Sequence, residues 1–345
     1  MLNTDAQEVS ARAARQTVAA PAAQDPVRSE STFPAIIEPD SSGNDLVEWL
    51  RSAKDTIPEL LRSGAVLFRG FSLRSASEFE AAARVVCPNL HGEYGDLPKE
   101  DGGNAVYRST PYPPNRAILF HNESSHQSTW PLKQFFFCVQ PAQSGGETPI
   151  VDCRLVLDRL PAAIRDRFRS SGLRYVRNFI PGFDVSWSQF FKTSDKTVVE
   201  ERCGKEGASC KWRPDGGLQM TQECAAVLQH PQTGEDVFFN QIQLHHPFFL
   251  DDGLRTSLAS LFAPGDEPRN VFYGDGETID EHTTALLRDI YAELQVQFAW
   301  EAGDFLLLDN MLAAHGRNPY SGARKILVAM GEMATLRHGS VIASH

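Results

Sequence analysis

The chain has 345 residues, 41% hydrophobic and 22% charged, so it can bury a sizeable core. A formal net charge of −11 argues against general binding to nucleic acid or to a membrane surface, both of which need a basic face. No apolar run approaches the roughly 20 residues of a membrane span, and six cysteines scattered without a C-x-x-C pair fit a reduced, cytoplasmic setting better than a disulfide framework.

In chain order, residues 1–32 are rich in Ala, Gln and Ser, lack the apolar stretch of a secretory signal, and read as a disordered leader. Ordered structure is expected from Phe33, with 33–345 as one domain, since large β-barrel enzymes run this long. Leu46, Val47, Trp49, Leu50, Ile57 and Leu60 recur at helical spacing, interrupted at Pro58. Gly64 to Gly70 reads as a buried strand bounded by glycine, and Ser75 with Glu78 is a capping box opening a helix through Val86. Ala117–Phe120 is a strand, and the continuous apolar run Gln134–Gln140 is one buried on both faces. A helix is expected over Arg154–Ser170, and another from a Ser194 cap through Cys203. Strands are expected at Leu173–Phe179, Ala225–Gln229 and Val237–Ile242, the last two joined by the turn His230–Glu235. Helices follow at Leu254–Phe262 and Asp280–Leu294, then strands at Phe298, Phe305–Leu308 and Ile326–Met330. Helices flanking a strand-rich middle suit an α+β chain with a double-stranded β-helix (jelly-roll) core. The stretches Tyr94–Asn104 and Phe183–Asp215, rich in glycine or polar residues, are candidate lids.

His121 and Glu123 form an H-x-E pair, and His315 lies 194 residues downstream in Ala314-His315-Gly316-Arg317. In an extended segment residues i and i+2 point to one side, so an imidazole and a carboxylate can reach one ion. Together with a distant His this is the sequence shape of the 2-His-1-carboxylate triad, which holds Fe(II) by one face and leaves positions open. Gly316 would let the backbone turn tightly beside its ligand. Thr148, after Gly145-Gly146-Glu147, and Arg324 suggest a 2-oxoglutarate site, because a buried anion needs a fixed bidentate cation. Taken singly each residue has an ordinary reading: a core or rim histidine, a solvated carboxylate, a turn threonine, a salt-bridged arginine.

Jointly, the sequence resembles the taurine-dioxygenase-like (clavaminate-synthase-like) branch of the Fe(II)/2-oxoglutarate oxygenases, and within it the syringomycin-type amino-acid hydroxylases. The resemblance spans roughly Phe33 to Met333. It rests on Gly64–Phe71, Phe120-His121-Asn122-Glu123-Ser124, Ser144–Pro149, Tyr273-Gly274-Asp275-Gly276, Leu308–Arg317 and Gly322–Met330. It implies that His121, Glu123 and His315 bind iron and that Thr148 and Arg324 hold the distal carboxylate of 2-oxoglutarate. The implied reaction consumes O2 and 2-oxoglutarate and hydroxylates an unactivated C–H bond of an amino acid or a metabolite made from one, in secondary metabolism. Desaturation, epoxidation or cyclisation would use the same cofactors, and a non-catalytic ligand-binding relative is a further alternative. A zinc hydrolase would place its histidines in H-E-x-x-H, which is absent here.

Four residues are candidate substrate contacts. His126 stands where relatives carry an aromatic residue; facing the pocket it would offer a hydrogen bond or a charge switch near pH 6–7. Asn240 follows an apolar strand, with His245 and His246 read as structural. Arg317 pairs with a substrate carboxylate or braces its own loop, and Tyr112 walls the pocket or is a turn aromatic. Were the substrate presented by a carrier protein, Arg108, Arg116 and Lys133 would supply the basic rim such an acidic partner needs. Cys203 and Cys210, the tightest cysteine pair, read as ordinary thiols.

Overall fold

The computed structural model describes residues 33–40, 43–92, 99–101, 103–109, 112–183, 185–263 and 265–343. Residues 1–32, expected to form a leader, and much of the candidate lid Tyr94–Asn104 lie outside them.

The helices are α1 (Leu46–Ser52), α2 (Ile57–Leu60), α3 (Ala76–Val86), α4 (Cys153–Arg159), α5 (Ala162–Ser171), α6 (Trp187–Phe191), α7 (Lys196–Lys205), α8 (Ile242–His245), α9 (Asp252–Leu261) and α10 (Glu281–Leu294). The first strands are β1 (Ala35–Ile37), β2 (Ala65–Phe68), β3 (Tyr107–Arg108), β4 (Ile118–His121), β5 (Thr129–Gln140), β6 (Ser144–Gly145), β7 (Ile150–Asp152), β8 (Leu173–Phe179) and β9 (Ser209–Trp212). They are followed by β10 (Leu218–Cys224), β11 (Val227–Gln229), β12 (Asp236–Phe238), β13 (Arg269–Tyr273), β14 (Phe305–Asp309), β15 (Ala313–Arg317), β16 (Tyr320–Ser321), β17 (Lys325–Arg337) and β18 (Ser340–Ala343).

One sheet runs β1-β2-β14-β5-β17-β18, with β3 also on β17. Its central strands are apolar on both faces because both are covered. Phe135 and Phe137 of β5 join Phe305 and Leu307 of β14 against α1 and α3. Phe136 and Cys138 turn the other way and pack with Leu306, Leu308, Ile326, Val328 and Met330 inside the jelly roll. That is why the run through β5 shows no alternation. Facing this inner surface is the short sheet β4-β15-β7.

The capping box at Ser75 and Glu78 opens α3 as expected, and Pro58 sits in the first turn of α2, where its missing N–H costs nothing. The helix expected over 154–170 is instead two, α4 and α5, broken at Leu160 and Pro161. Helix α7 is capped by Asp195, whose carboxylate accepts from Thr197 N, and not by Ser194. Strand β12 stops at Phe238, because the Asn240 side chain and that of Asn122 take the backbone N–H groups of Ile242 and Asn240. Phe298 stacks edge-on to Trp300 outside any strand. The stretch 183–215 carries α6, α7 and β9, so it is not an irregular loop. A second sheet, β13-β8-β10-β9, was expected only at β8. Strand β10 (Leu-Gln-Met-Thr-Gln-Glu-Cys) is mostly half-exposed and lacks the apolar run that marks a strand.

A buried ionic cluster lies behind the β14–β15 turn. Asp309 Oδ2 meets Lys133 Nζ at 3.1 Å and His230 Nε2 at 3.2 Å, while Oδ1 accepts from Met311 N at 3.0 Å and Leu312 N at 3.2 Å. Burial alone would raise the Asp309 carboxyl, but Lys133 and His230 hold it well below the usual carboxylate range. Its contribution to stability is therefore complete above the ordinary aspartate range, about pH 4, and is lost as pH falls further. Lys133→Met should cost about 3–5 kcal/mol by leaving a buried carboxylate without its cation, read as a lower denaturant midpoint at neutral pH. An unchanged midpoint would show that His230 and the two N–H groups suffice.

Candidate active site

Strands β4 and β15 pair antiparallel with His315 directly opposite His121, the last residue of β4. Cross-strand partners bring their side chains within reach of each other, and these two rings lie 4.3 Å apart between centroids. Two residues on, Glu123 lies just before Ser124, whose φ of 57° turns the chain away. One ligand atom from each of His121, Glu123 and His315 falls within 4.8 Å of the other two. His121 Nδ1 lies 2.8 Å from the Leu119 carbonyl, so it carries the proton and leaves the Nε2 lone pair for a metal. Burial, and then His121, hold His315 well below the usual imidazole range, so it is neutral. Two imidazoles and a carboxylate are a donor set for a divalent transition metal. Gly316 lies within β15, not in a turn: a Cβ there would sit 2.7 Å from the Ile118 carbonyl oxygen, so close backbone approach demands it.

The Glu123 segment is clamped. Asn310, wholly buried, accepts from Glu123 N at 2.7 Å and donates to Glu123 O at 3.0 Å and Pro131 O at 2.8 Å. Asn122 donates to Asn310 O at 2.7 Å and accepts from Asn240 N at 3.1 Å. Gln134 Nε2 reaches Glu123 Oε2 at 3.4 Å.

The triad opens on a cavity that Thr148, Arg317 and Arg324 also line. Thr148 Oγ1 accepts from Trp300 Nε1 at 3.1 Å, which leaves the hydroxyl proton free to donate. Arg324 donates Nε to Gly146 O at 2.9 Å. A Cβ on Gly146, which has φ +78°, would meet Arg324 Cδ at 3.0 Å, so glycine here makes room for the arginine. Burial, and then Arg317, pull the Arg324 guanidinium down to about 10, still charged at neutral pH. Among the described residues neither Arg317 nor Arg324 has an acidic partner within ion-pair distance.

Of the other candidates, Arg317 lines the cavity, while His126, Asn240 and Tyr112 are not part of its lining. His126 faces His245 (centroids 5.1 Å apart) and Tyr175 (6.0 Å), outside the cavity lining. Burial, with Arg269 and Arg177 adding to it, pushes His126 down to about 4, so it does not switch charge near pH 6–7. Asn240 is buried and spent on Tyr291 Oη and on backbone, bracing the metal turn from behind. Tyr112 is 41% exposed and offers its carbonyl to Arg317. Arg317 does brace its loop, donating to the carbonyls of Tyr112, Pro113 and Arg116. The expected basic rim is neutralised: Arg108 pairs with Glu100, Arg116 with Asp251, and Lys133 is buried against Asp309. Trp300, Asn310 and Gln134 escaped sequence reasoning, although a glutamine opening an apolar strand was a visible signal.

A family model described as taurine catabolism dioxygenase TauD, TfdA family, matches residues 29–330. The dapdiamide synthesis protein DdaC of Enterobacter agglomerans is 36% identical over 276 residues, 79% of this chain and 84% of that protein. A clavaminate synthase-like protein of Arabidopsis thaliana is 28% identical over 324 residues, covering 86% and 93%. The PvcB protein of Pseudomonas aeruginosa has a similar fold, with TM-score 0.51 at 15% identity over 86% of this chain and 84% of that one. Among the described residues no helix is long and apolar enough to cross a membrane. With its jelly roll and its His–Glu–His cluster, the chain belongs to the TauD/TfdA family of dioxygenases.

Proposed function

We propose that this dioxygenase uses iron(II) and 2-oxoglutarate to hydroxylate an unactivated C–H bond of an amino acid or amino-acid-derived metabolite in cytoplasmic natural-product biosynthesis. The observation that carries the reading is the His121–Glu123–His315 cluster beside a half-buried arginine, Arg324, that has no carboxylate within ion-pair distance among the described residues. The likeness to a dapdiamide synthesis protein supports the pathway class.

In this reading His121, Glu123 and His315 hold the metal. Arg324 and the free proton of Thr148 take the distal carboxylate of 2-oxoglutarate, and Trp300 orients that hydroxyl. The bound metal with 2-oxoglutarate supplies the oxidation of substrate by O2, with succinate and CO2 as co-products. The protein's own part is to fix these groups and exclude water. The apolar wall of Phe136, Ile326, Val328 and Met330 keeps the chamber dry around the charged ends.

His121→Ala and His315→Ala should each abolish stoichiometric Fe(II) binding and succinate release, with the fold retained by circular dichroism. Metal binding at the wild-type level in either variant would remove that residue from the set. Trp300→Phe should raise the KM for 2-oxoglutarate roughly 2–10-fold, the loss of one neutral hydrogen bond. Arg324→Met should raise it by roughly 10–100-fold, as a charged partner is lost. Equal effects of the two would contradict the assigned order of roles. Mass analysis of the product separates a gain of oxygen from a loss of two hydrogens.

A further inference from the structure

Two buried side chains in the cavity each keep one polar atom without a partner. Gln134 is 1% exposed and Arg317 is 6% exposed. Gln134 Oε1 and Arg317 Nε are fully buried and make no hydrogen bond, and both residues line the chamber around the triad. A buried polar group left without a partner is destabilising, so native proteins seldom keep one that nothing will answer.

Neither side chain can relieve itself. The Nη groups of Arg317 are held by three backbone carbonyls, at 3.1, 2.7 and 2.8 Å. Gln134 must present its NH2 to Glu123 Oε2, because an amide oxygen there would face the carboxylate, so its own oxygen is turned away. The Tyr320 ring centroid lies 5.2 Å from Arg317 Cζ and 5.5 Å from Arg324 Cζ, so both guanidiniums pack against the same ring.

The charges then decide what is missing. A divalent metal, Glu123, Arg317 and Arg324 leave the chamber positive. One dianionic 2-oxoglutarate, with a carboxylate on the metal and another on Arg324, would leave Arg317 with only backbone carbonyls and, among the described residues, no carboxylate within ion-pair distance. A buried cation without a counter-charge is costly.

We propose that Arg317 and Gln134 read the substrate, and that the substrate carries a carboxylate for Arg317 Nε and a protonated amine for Gln134 Oε1. This rests on the dioxygenase reading and adds the chemistry of its substrate. The amine lies next to Glu123, whose carboxylate favours it, and the carboxylate lies at Arg317. The shared chemistry has two sources. It is the head group of a free α-amino acid, or the amine and side-chain carboxylate of an acidic amino acid held as a thioester.

The test is anaerobic calorimetry on the full chain loaded with Fe(II) and 2-oxoglutarate. The probes are the free proteinogenic amino acids at about 10 mM, suited to weak head-group binding, their N-acetyl and methyl-ester forms, and the pantetheine thioesters of aspartate and glutamate. Compounds with both groups should bind, and N-acetylation or esterification should weaken binding at least tenfold. Binding by free amino acids assigns the first source; binding by the acidic thioesters alone assigns the second. Arg317→Lys should weaken the carboxylate-bearing probes about tenfold or more while 2-oxoglutarate affinity stays within threefold. Gln134→Leu, a milder change should Arg317→Lys fail to fold, should erase the discrimination against N-acetyl forms. Equal binding of blocked and unblocked probes, or no binding of any probe to a protein that holds 2-oxoglutarate, would overturn the proposal. So would a loss of 2-oxoglutarate affinity in Arg317→Lys matching that in Arg324→Met, since the carboxylate at Arg317 would then be the co-substrate's. A wild-type protein that binds no 2-oxoglutarate sinks the dioxygenase reading itself.

Discussion

The register of β4 against β15 puts His315 opposite His121, and every other feature of the site is arranged around that one cross-strand pair. A slip of one residue would turn one of the two rings to the opposite face of the sheet. The pairing is held from two sides. Strand β7 pairs with the far edge of β15, and Gly316 admits the Ile118 carbonyl where any side chain would force the strands apart. Beyond the end of β4 there is no ladder left to place Glu123. Side-chain amides take over: Asn310 holds both backbone polar groups of Glu123, and Asn122 holds Asn310 in return.

The turn that presents Asn310 depends in its turn on charge. Asp309 ties two N–H groups of the turn to Lys133 and His230 in a dry setting. Buried ion pairs contribute little net stability, but they punish any arrangement that separates them. Here that penalty falls on movements of the loop that carries the clamp, which gives a polar cluster in a jelly-roll core a physical reason to be there.

The inner chamber combines apolar walls with a surplus of positive charge. Its guanidiniums are anchored to neutral carbonyls, and among the described residues no carboxylate lies within ion-pair distance of them. Such an arrangement is costly while empty and favourable once anions enter, the signature of a site built for charged ligands.

Much of this was legible along the chain. The H-x-E pair, the distal His-Gly-Arg, and the threonine and arginine that line the chamber were visible as residue types at telling spacing. The both-faces-buried strand through Phe135–Phe137 was visible as unbroken apolarity, and α3 as a capping box. The sheet β13-β8-β10-β9 was not, because its strands are half-exposed and carry no clear period. Chemistry and local structure are written in nearest neighbours, so the sequence by itself determined the donor types, the core strands and the family. Only the tertiary structure decided that His126 faces other rings, that Asn240 braces from behind, that Lys133 is spent on Asp309, and that Gln134 and Arg317 each keep an unanswered atom. Those outcomes depend largely on partners remote in sequence, such as His245 for His126, Asn122 for Asn240, Asp309 for Lys133 and Tyr112 for Arg317, and no local pattern encodes them.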